Sequence, residues 1–408
     1  MRILVTASTF PRWQGDTEPP FVFELCRRLQ KRGVDIDIIA PHAPGAKAME
    51  VMDGINVYRY RYGPERLEVL AYQGGILANL KRHWYAVLVV PVFLLFQGLS
   101  VWRRLRKEKY DLVHAHWIIP QGLVCVLVNL LRARGHRVPV VCTSHGGDLY
   151  ALRGWPFKSI KKFVMKRLAH LCVVSRAMQE TCIEFGMEPE TINVLPMGVD
   201  LKNTFLPTAN TARHDHRLLF VGRLVEKKGV THALEAVAIL KKTIPDIELL
   251  VVGDGPELPV LKRKITQLGL EQNVTLAGSV RNPELPQLYS SATVFVMPAV
   301  VDSRGDQEGF GLVLVEAMGC GCAVIASDLP PIRDIVQHGQ NGLLAQPGAA
   351  NDLADKIRQL LQDRELRARL AVKGRESVGR FDWDATAGRY HALFTELLVK
   401  SGRKSLAG

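Results

Sequence analysis

The chain has 408 residues, 47% of them hydrophobic and 23% charged. That much apolar surface excludes general disorder, and the length suits two or three packed domains. Lysine and arginine outnumber the acids 53 to 40, a formal charge of +13, but no helix-turn-helix, zinc-finger or aromatic-strand pattern accompanies the excess, so nucleic acid is not the expected partner.

The opening run Met1-Arg2-Ile3-Leu4-Val5-Thr6-Ala7 is too short for a signal peptide and reads as a buried strand over 2–7. A polar loop, Phe10 to Pro20, follows, with a helix from about Phe21. Loops at this strand end face the ligand crevice in open parallel sheets. Gly15 in that loop can bring backbone close to a diphosphate, but the dinucleotide fingerprint Gly-x-Gly-x-x-Gly is absent, which argues against a nicotinamide enzyme. Further strands are expected at 34–40, 111–116, 138–144, 170–174 and 192–196. The runs Val138-Pro139-Val140-Val141-Cys142-Thr143 and Leu171-Cys172-Val173-Val174 are continuous rather than alternating, as in a sheet covered on both faces. His114 and His116 share one face of a strand and read as core residues, with no metal set around them. The seven cysteines are odd in number, lack Cys-x-x-Cys spacing and sit mostly in apolar runs. They read as buried free thiols in a reducing cytosol.

Two stretches of this half point to a membrane. Trp84 to Trp102 carries no Asp, Glu, Lys, Arg or His, with Lys81, Arg82 and His83 before it and Arg103, Arg104 and Arg106 after it. It approaches the roughly 20 residues that span a bilayer. Pro91, Gln97, Gly98 and Ser100 interrupt it, and the strand at 111–116 follows at once, so a buried or interface-dipping helix is expected. Lys158, Lys161, Lys162 and Lys166 fall at helical spacing among Phe157, Ile160, Val164 and Leu168, a basic amphipathic pattern suited to anionic lipid.

Residues 201–216 hold Asn203, Thr204, Pro207, Thr208, Asn210, Thr211 and two histidines without apolar periodicity, and read as a linker. Beyond it, strands are expected at 217–221, 248–252, 273–276, 293–297 and 322–326. Helices fill 228–242, 257–268, 284–291, 312–318, 332–337 and 351–361. Strand-helix repetition twice over predicts an α/β protein with two doubly wound parallel-sheet domains, 1–200 and 217–382. Trp383 to Lys400 reads as a last amphipathic helix.

Two motifs of the second half carry chemistry. Val221-Gly222-Arg223-Leu224-Val225-Glu226-Lys227-Lys228-Gly229 reads as strand, glycine turn, helix, and delivers a guanidinium and an ammonium to the carboxyl end of a strand. Charge of that sign is what a departing diphosphate needs. Glu308-Gly309-Phe310-Gly311-Leu312-Val313-Leu314-Val315-Glu316 has seven residues between its two acids. On one helix they would stand roughly 80° apart. The glycines instead start the helix near Leu312, leaving Glu308 in the loop, Glu316 in the second turn and free N–H groups at an anion-binding helix end.

The ordered pair Gly-Arg-x4-Lys-Gly and Glu-x7-Glu resembles the retaining glycosyltransferases of family 4, over nearly the whole chain. The resemblance implies a GT-B fold: two Rossmann-like domains facing across a cleft, with the segment 383–408 crossing back onto the first. It gives the donor to Gly15, Gly222, Arg223, Lys228, Gly253, Glu308, Gly309, Phe310, Gly311 and Glu316, with Val280 and Arg281 near the base. Glu316 would accept hydrogen bonds from the ribose diol, and Glu308 would orient sugar hydroxyls. In Thr143-Ser144-His145-Gly146-Gly147-Asp148, the resemblance sets His145 against the donor sugar. Asp148 is an acceptor-side candidate or a cap. Where the family often has Asn, this chain has Met197. The loop Ala299 to Gln307 is longer than in many relatives, and its Arg304 is a further acceptor-side candidate.

The expected activity is metal-independent transfer of a hexose from a UDP- or GDP-sugar to a saccharide or lipid-linked acceptor, with no cofactor. The expected location is cytoplasmic, peripheral at the inner face of an anionic membrane. A sugar-nucleotide epimerase of similar architecture, or a non-catalytic protein that binds nucleotide-sugar or membrane, stands as the alternative.

Overall fold

A computed structural model of the chain describes residues 1–402 apart from 17, 19, 73, 152, 153, 209 and 210. Thr17 and Pro19 of the first loop, Asn210 of the expected linker and 403–408 of the expected returning segment lie outside the described residues. The chain divides into two compact units.

The first unit holds 1–174, 178–197 and the segment from Trp383. Its strands are β1 (Arg2–Thr6), β2 (Asp35–Pro41), β3 (Met49–Met52), β4 (Ile55–Tyr60), β5 (Leu112–His116), β6 (Val140–Ser144), β7 (His170–Val173) and β8 (Ile192–Val194). They form one sheet in the order β3-β4-β2-β1-β5-β6-β7-β8, parallel except for the β3–β4 hairpin. Strand order reverses at β1, between β2 and β5, the point where open parallel sheets bind ligands at their carboxyl ends. The helix Trp383–Lys400 packs beside Phe21–Gln30, where Asp384 meets Arg28 at 3.0 Å. Its buried Tyr390 donates to the Leu195 carbonyl at 3.2 Å.

The helix Ala86–Lys107 covers this sheet with one face. Ala86, Val89, Phe93, Gln97, Val101 and Leu105 recur every three or four residues and are buried. Phe93 meets the rings of Tyr60 and Tyr62 edge-on at 5.4 and 4.9 Å. Near the other end, Arg104 donates to the buried Asp37 of β2 at 2.8 Å and stacks on Tyr58. The apolar stretch is therefore a layer of this unit.

The second unit holds 175–177 and 198–382. Its six strands, β9 (Arg217–Val221), β10 (Glu248–Val252), β11 (Val274–Gly278), β12 (Val294–Met297), β13 (Ala323–Ser327) and β14 (Leu343–Ala345), are all parallel in the order β11-β10-β9-β12-β13-β14. Here the order reverses at β9, between β10 and β12. Its core runs through Leu218, Phe220, Val237, Val251, Val296 and Ile325.

Several expectations change. The described residues of the expected linker 201–216 pack on the second unit: Phe205 is buried, Thr208 N–H donates to Ser290 Oγ at 3.0 Å and His214 N–H to the Ser291 carbonyl at 3.1 Å. The helix expected at 332–337 is only a 3-10 turn, Ile332–Asp334. In the helix Phe157–Met165, Lys161 is buried, its ammonium held by the carbonyls of Leu149 and Ala151 at 2.7 and 2.5 Å. It therefore offers no charge to a membrane. All seven cysteines are free and buried.

Candidate active site

In the second unit the two charged motifs meet at the strand-order reversal. After β9 the chain turns through Gly222-Arg223-Leu224, makes a 3-10 turn at Glu226–Lys228 and enters the helix Val230–Leu240. After β12 it runs through the long loop to the helix Leu312–Gly319, capped by Gly311 in the left-handed region at φ 100°. Lys228 Nζ then sits 2.5 Å from Glu308 Oε2, with both side chains about 15% exposed. Burial works to raise the Glu308 carboxyl, but the charge and hydrogen bond of Lys228 prevail and hold it below its usual range.

Glu316 lies one element further in. Its Oε2 accepts from the buried Tyr289 hydroxyl at 2.8 Å. Burial pushes its carboxyl up to about 7, against the pull of that hydroxyl and of the Lys228 charge. One lysine therefore acts on both acids. Arg223 is exposed at the end of β9. The glycines at this edge are there for backbone contact. A Cβ on Gly253 would stand 1.9 Å from the Gly222 carbonyl oxygen, and one on Gly229 (φ 66°) would stand 1.8 Å from that of Pro298. Gly229→Ala and Gly253→Ala are each expected to cost more than about 2 kcal/mol in urea unfolding, because backbone must shift on both sides.

The long loop is tied to the lysine turn residue by residue. Glu226 accepts from Ser303 N–H and Oγ at 2.8 and 2.9 Å, Lys227 reaches Asp306 at 3.0 Å, and Lys228 reaches Glu308. Asp302 accepts from the N–H groups of Arg304 and Asp306. The acids of this loop are thus occupied within the unit, and Arg304 is exposed along with Val301 and Ser303. Arg281, after edge strand β11, is paired with Glu284, and Val280 is partly exposed beside it.

In the first unit the ends of β5 and β6 carry three histidines. His145 Nε2 lies 3.0 Å from His116 Nδ1, and its ring packs on Phe21 and Trp117 at 5.0 and 4.9 Å. Burial lowers His145 to about 3, so the imidazole is neutral at pH 7. The two rings share one proton across their contact, which fixes which nitrogen of His145 is free. Trp117 sits at φ 76°, a strained position for a bulky residue. Gly15 takes φ 79° with open space around its Cα, so the turn demands the glycine and crowding does not. Asp148 lies in the short helix Gly147–Tyr150. Its carboxylate accepts from Ile118 N–H at 2.6 Å, Ser144 Oγ at 2.9 Å and His145 N–H at 3.2 Å, and it is buried. It fixes the turn that presents His145.

Residues 20–203 match Glycosyltransferase Family 4, and residues 206–377 match Glycosyl transferases group 1. An uncharacterized glycosyltransferase of Methanocaldococcus jannaschii is 30% identical over 72% of this chain and 77% of its own length. The chain belongs to the family 4 glycosyltransferases. The glycosyltransferase is also 28% identical to the GDP-mannose-dependent alpha-(1-6)-phosphatidylinositol monomannoside mannosyltransferase of Mycobacterium tuberculosis, over 95% of this chain and 96% of that protein. In fold it is similar to sucrose-phosphate synthase from Thermosynechococcus elongatus, with TM-score 0.79 at 23% identity over 98% of this chain and 99% of that one. Anabaena HepE in complex with UDP-glucose gives TM-score 0.69 at 20% identity over 98% and 100%. The fold is GT-B. With relatives of these names, the glycosyltransferase is an enzyme.

Tyr289 and the ties at Glu226 and Lys227 escape sequence reasoning. Tyr289 lies in an ordinary amphipathic helix, Leu285–Ser291, with no motif around it. The loop ties link residues about 80 positions apart, which only the β9–β12 pairing brings together.

Proposed function

We propose that the glycosyltransferase moves a hexose, with retention and without a divalent metal, from a UDP- or GDP-sugar to a lipid-linked saccharide on the cytoplasmic side of a membrane. The observation that carries this reading is Lys228 held 2.5 Å from Glu308 at the strand-order reversal, within electrostatic reach of Glu316. A fixed ammonium needs no reorganisation when charge builds on a leaving diphosphate. Arg223 and the N–H groups at the head of the helix Leu312–Gly319 add to it. Glu316 offers two acceptor oxygens to a ribose diol. Glu308 orients the sugar hydroxyls while sharing Lys228 with the diphosphate. By the family resemblance, His145 serves the sugar as a neutral hydrogen-bonding group. No side chain is assigned as a nucleophile, so attack comes on the face the leaving group vacates.

The donor and acceptor classes are supported by relatives' names. One is GDP-mannose-dependent and acts on a phosphatidylinositol mannoside, another serves amylovoran biosynthesis, and HepE was solved with UDP-glucose. A thermal-shift panel of UDP, GDP and their hexose conjugates tests the reading. The true donor at 100 times its Kd is expected to stabilise by about 2.7 kcal/mol. Transfer should persist in chelator. No shift with any member of the panel, or turnover abolished by chelator, would overturn it.

A further inference from the structure

We propose that the exposed face of the helix Ala86–Lys107, with the neighbouring helix Leu123–Leu130, docks in the plane of an anionic lipid bilayer. The buried face of the first helix is spent on the sheet, and the opposite face is apolar and bare. Leu88 is 71% exposed, Val87 and Leu95 are each 58%, and Val92 and Phe96 are each 39%, with Trp84 just ahead of them. About two turns further on the polarity changes abruptly, to Arg103, Arg106 and Lys107. The second helix packs on the first at Gly98, where Val124 and Val128 come closest. It extends the same surface with the exposed Leu127, Leu130 and Leu131.

Charge decides what covers this face. Lys81, Arg82, Arg103, Arg106, Lys107 and Lys109 are all exposed, and among the described residues none of the six makes an ion pair with an acid of the chain. They stand at both ends of the apolar stripe. At the far end a cavity of about 760 Å³ is lined by Trp102, Arg106, Lys107, Lys109, Leu131 and His136, among others. Apolar side chains flanked by unneutralised cations complement acyl chains beneath anionic headgroups. A second copy of the chain would set these cations against themselves, which argues against self-association.

Geometry gives the docking a use. The helix runs from the carboxyl edge of the sheet, near the end of β4, back to the start of β5. Its bare apolar end therefore lies at the edge that carries His116, Trp117 and His145. A lipid-linked acceptor could reach that edge without leaving the bilayer. The inference deepens the lipid-acceptor reading above and rests on it for its purpose, while the docking itself is measured independently.

The test is flotation of the full chain with vesicles of equal parts phosphatidylcholine and phosphatidylglycerol, against pure phosphatidylcholine. The wild type should float with the anionic vesicles and lose partition as salt is raised. Leu88→Glu/Leu95→Glu, and separately Arg103→Glu/Arg106→Glu/Lys107→Glu, should each lower partition at least about tenfold. Unchanged thermal midpoints and unchanged slow donor hydrolysis in solution would show that both variants are folded and keep their donor site. Three results would overturn the proposal: a wild type that ignores anionic vesicles, variants that float as well as it does, or a wild-type dimer that Leu88→Glu/Leu95→Glu splits without loss of flotation. Loss of donor hydrolysis in the wild type itself would instead strike at the proposed function and leave the docking result standing.

Discussion

Lys228→Ala should lower sugar transfer by at least about 10²-fold, and Arg223→Ala should do the same. The two variants differ in what else they change. Arg223 is exposed, so its removal should take charge from the proposed diphosphate site at a smaller cost in thermal midpoint than the loss of Lys228. Lys228 is paired with Glu308 where little water reaches, and its removal strands a carboxylate. About 2 kcal/mol of stability should go with it, less than a fully buried pair would lose, because each partner keeps some solvent contact. It also cuts one of the side-chain ties that hold the loop 300–308. Lys228→Met/Glu308→Gln separates the effects: the neutral pair should regain most of the midpoint and none of the transfer. A double variant that recovers both would mean that the lysine acts only through folding. Measuring kcat and KM apart sharpens the result, since a charge used only as the leaving group departs lowers kcat more than it raises KM.

Both sheets were legible because their central strands are unbroken apolar runs, Leu218 to Val221 and Leu249 to Val252 among them. Buried on two faces, such strands have no alternation to hide in. What escaped was less apolar or, at β14, shorter. The hairpin β3–β4 carries its signal in Asp53-Gly54, both at positive φ, a turn pair that twists two strands correctly. Three-residue β14 has too little length for any pattern. The segment 201–216 looks like a linker by composition, yet Phe205 packs against Tyr289 and Gly319, and Thr208 and His214 bond to the helix Leu285–Ser291. Periodicity cannot report a single anchored side chain.

The candidate site divides along the same line. Residues set by local geometry were readable: Gly311 starts its helix where the glycines required, so Glu308 and Glu316 fall in loop and helix as their spacing implied. Residues set by contact across the fold were not. Lys161 sits at helical spacing among other lysines and looks solvated, but two carbonyls claim its ammonium. His116 reads as core, and it is core, yet it is also the group that orients His145.

Glu316→Ala should also lower transfer by at least about 10²-fold, and Glu316 should give donor binding a distinctive pH dependence. A ribose diol needs the ionised carboxylate as acceptor, while burial pushes this group up to about 7. The affinity for a UDP- or GDP-sugar should therefore weaken as pH falls below about 7, by roughly tenfold per unit once the carboxyl is mostly protonated. A sugar-linked diphosphate has no proton to gain in that range, and His145, lowered to about 3, does not titrate there either. Glu316→Gln should bind weakly at every pH with the slope removed. Tyr289→Phe, which removes a hydroxyl that favours ionisation, should move the wild-type curve to higher pH. Stability must run the opposite way. The folded protein keeps a proton up to about 7 that the unfolded chain releases near 4.5. Unfolding free energy should thus fall as pH rises between those two values and level off above, and Glu316→Gln should abolish that decline. Calorimetric binding and urea midpoints at pH 5.5 and 8 measure both. Flat binding in the wild type over that span would remove Glu316 from the diol, and stability that rises with pH through the same window would mean that its carboxyl is already ionised in the folded state.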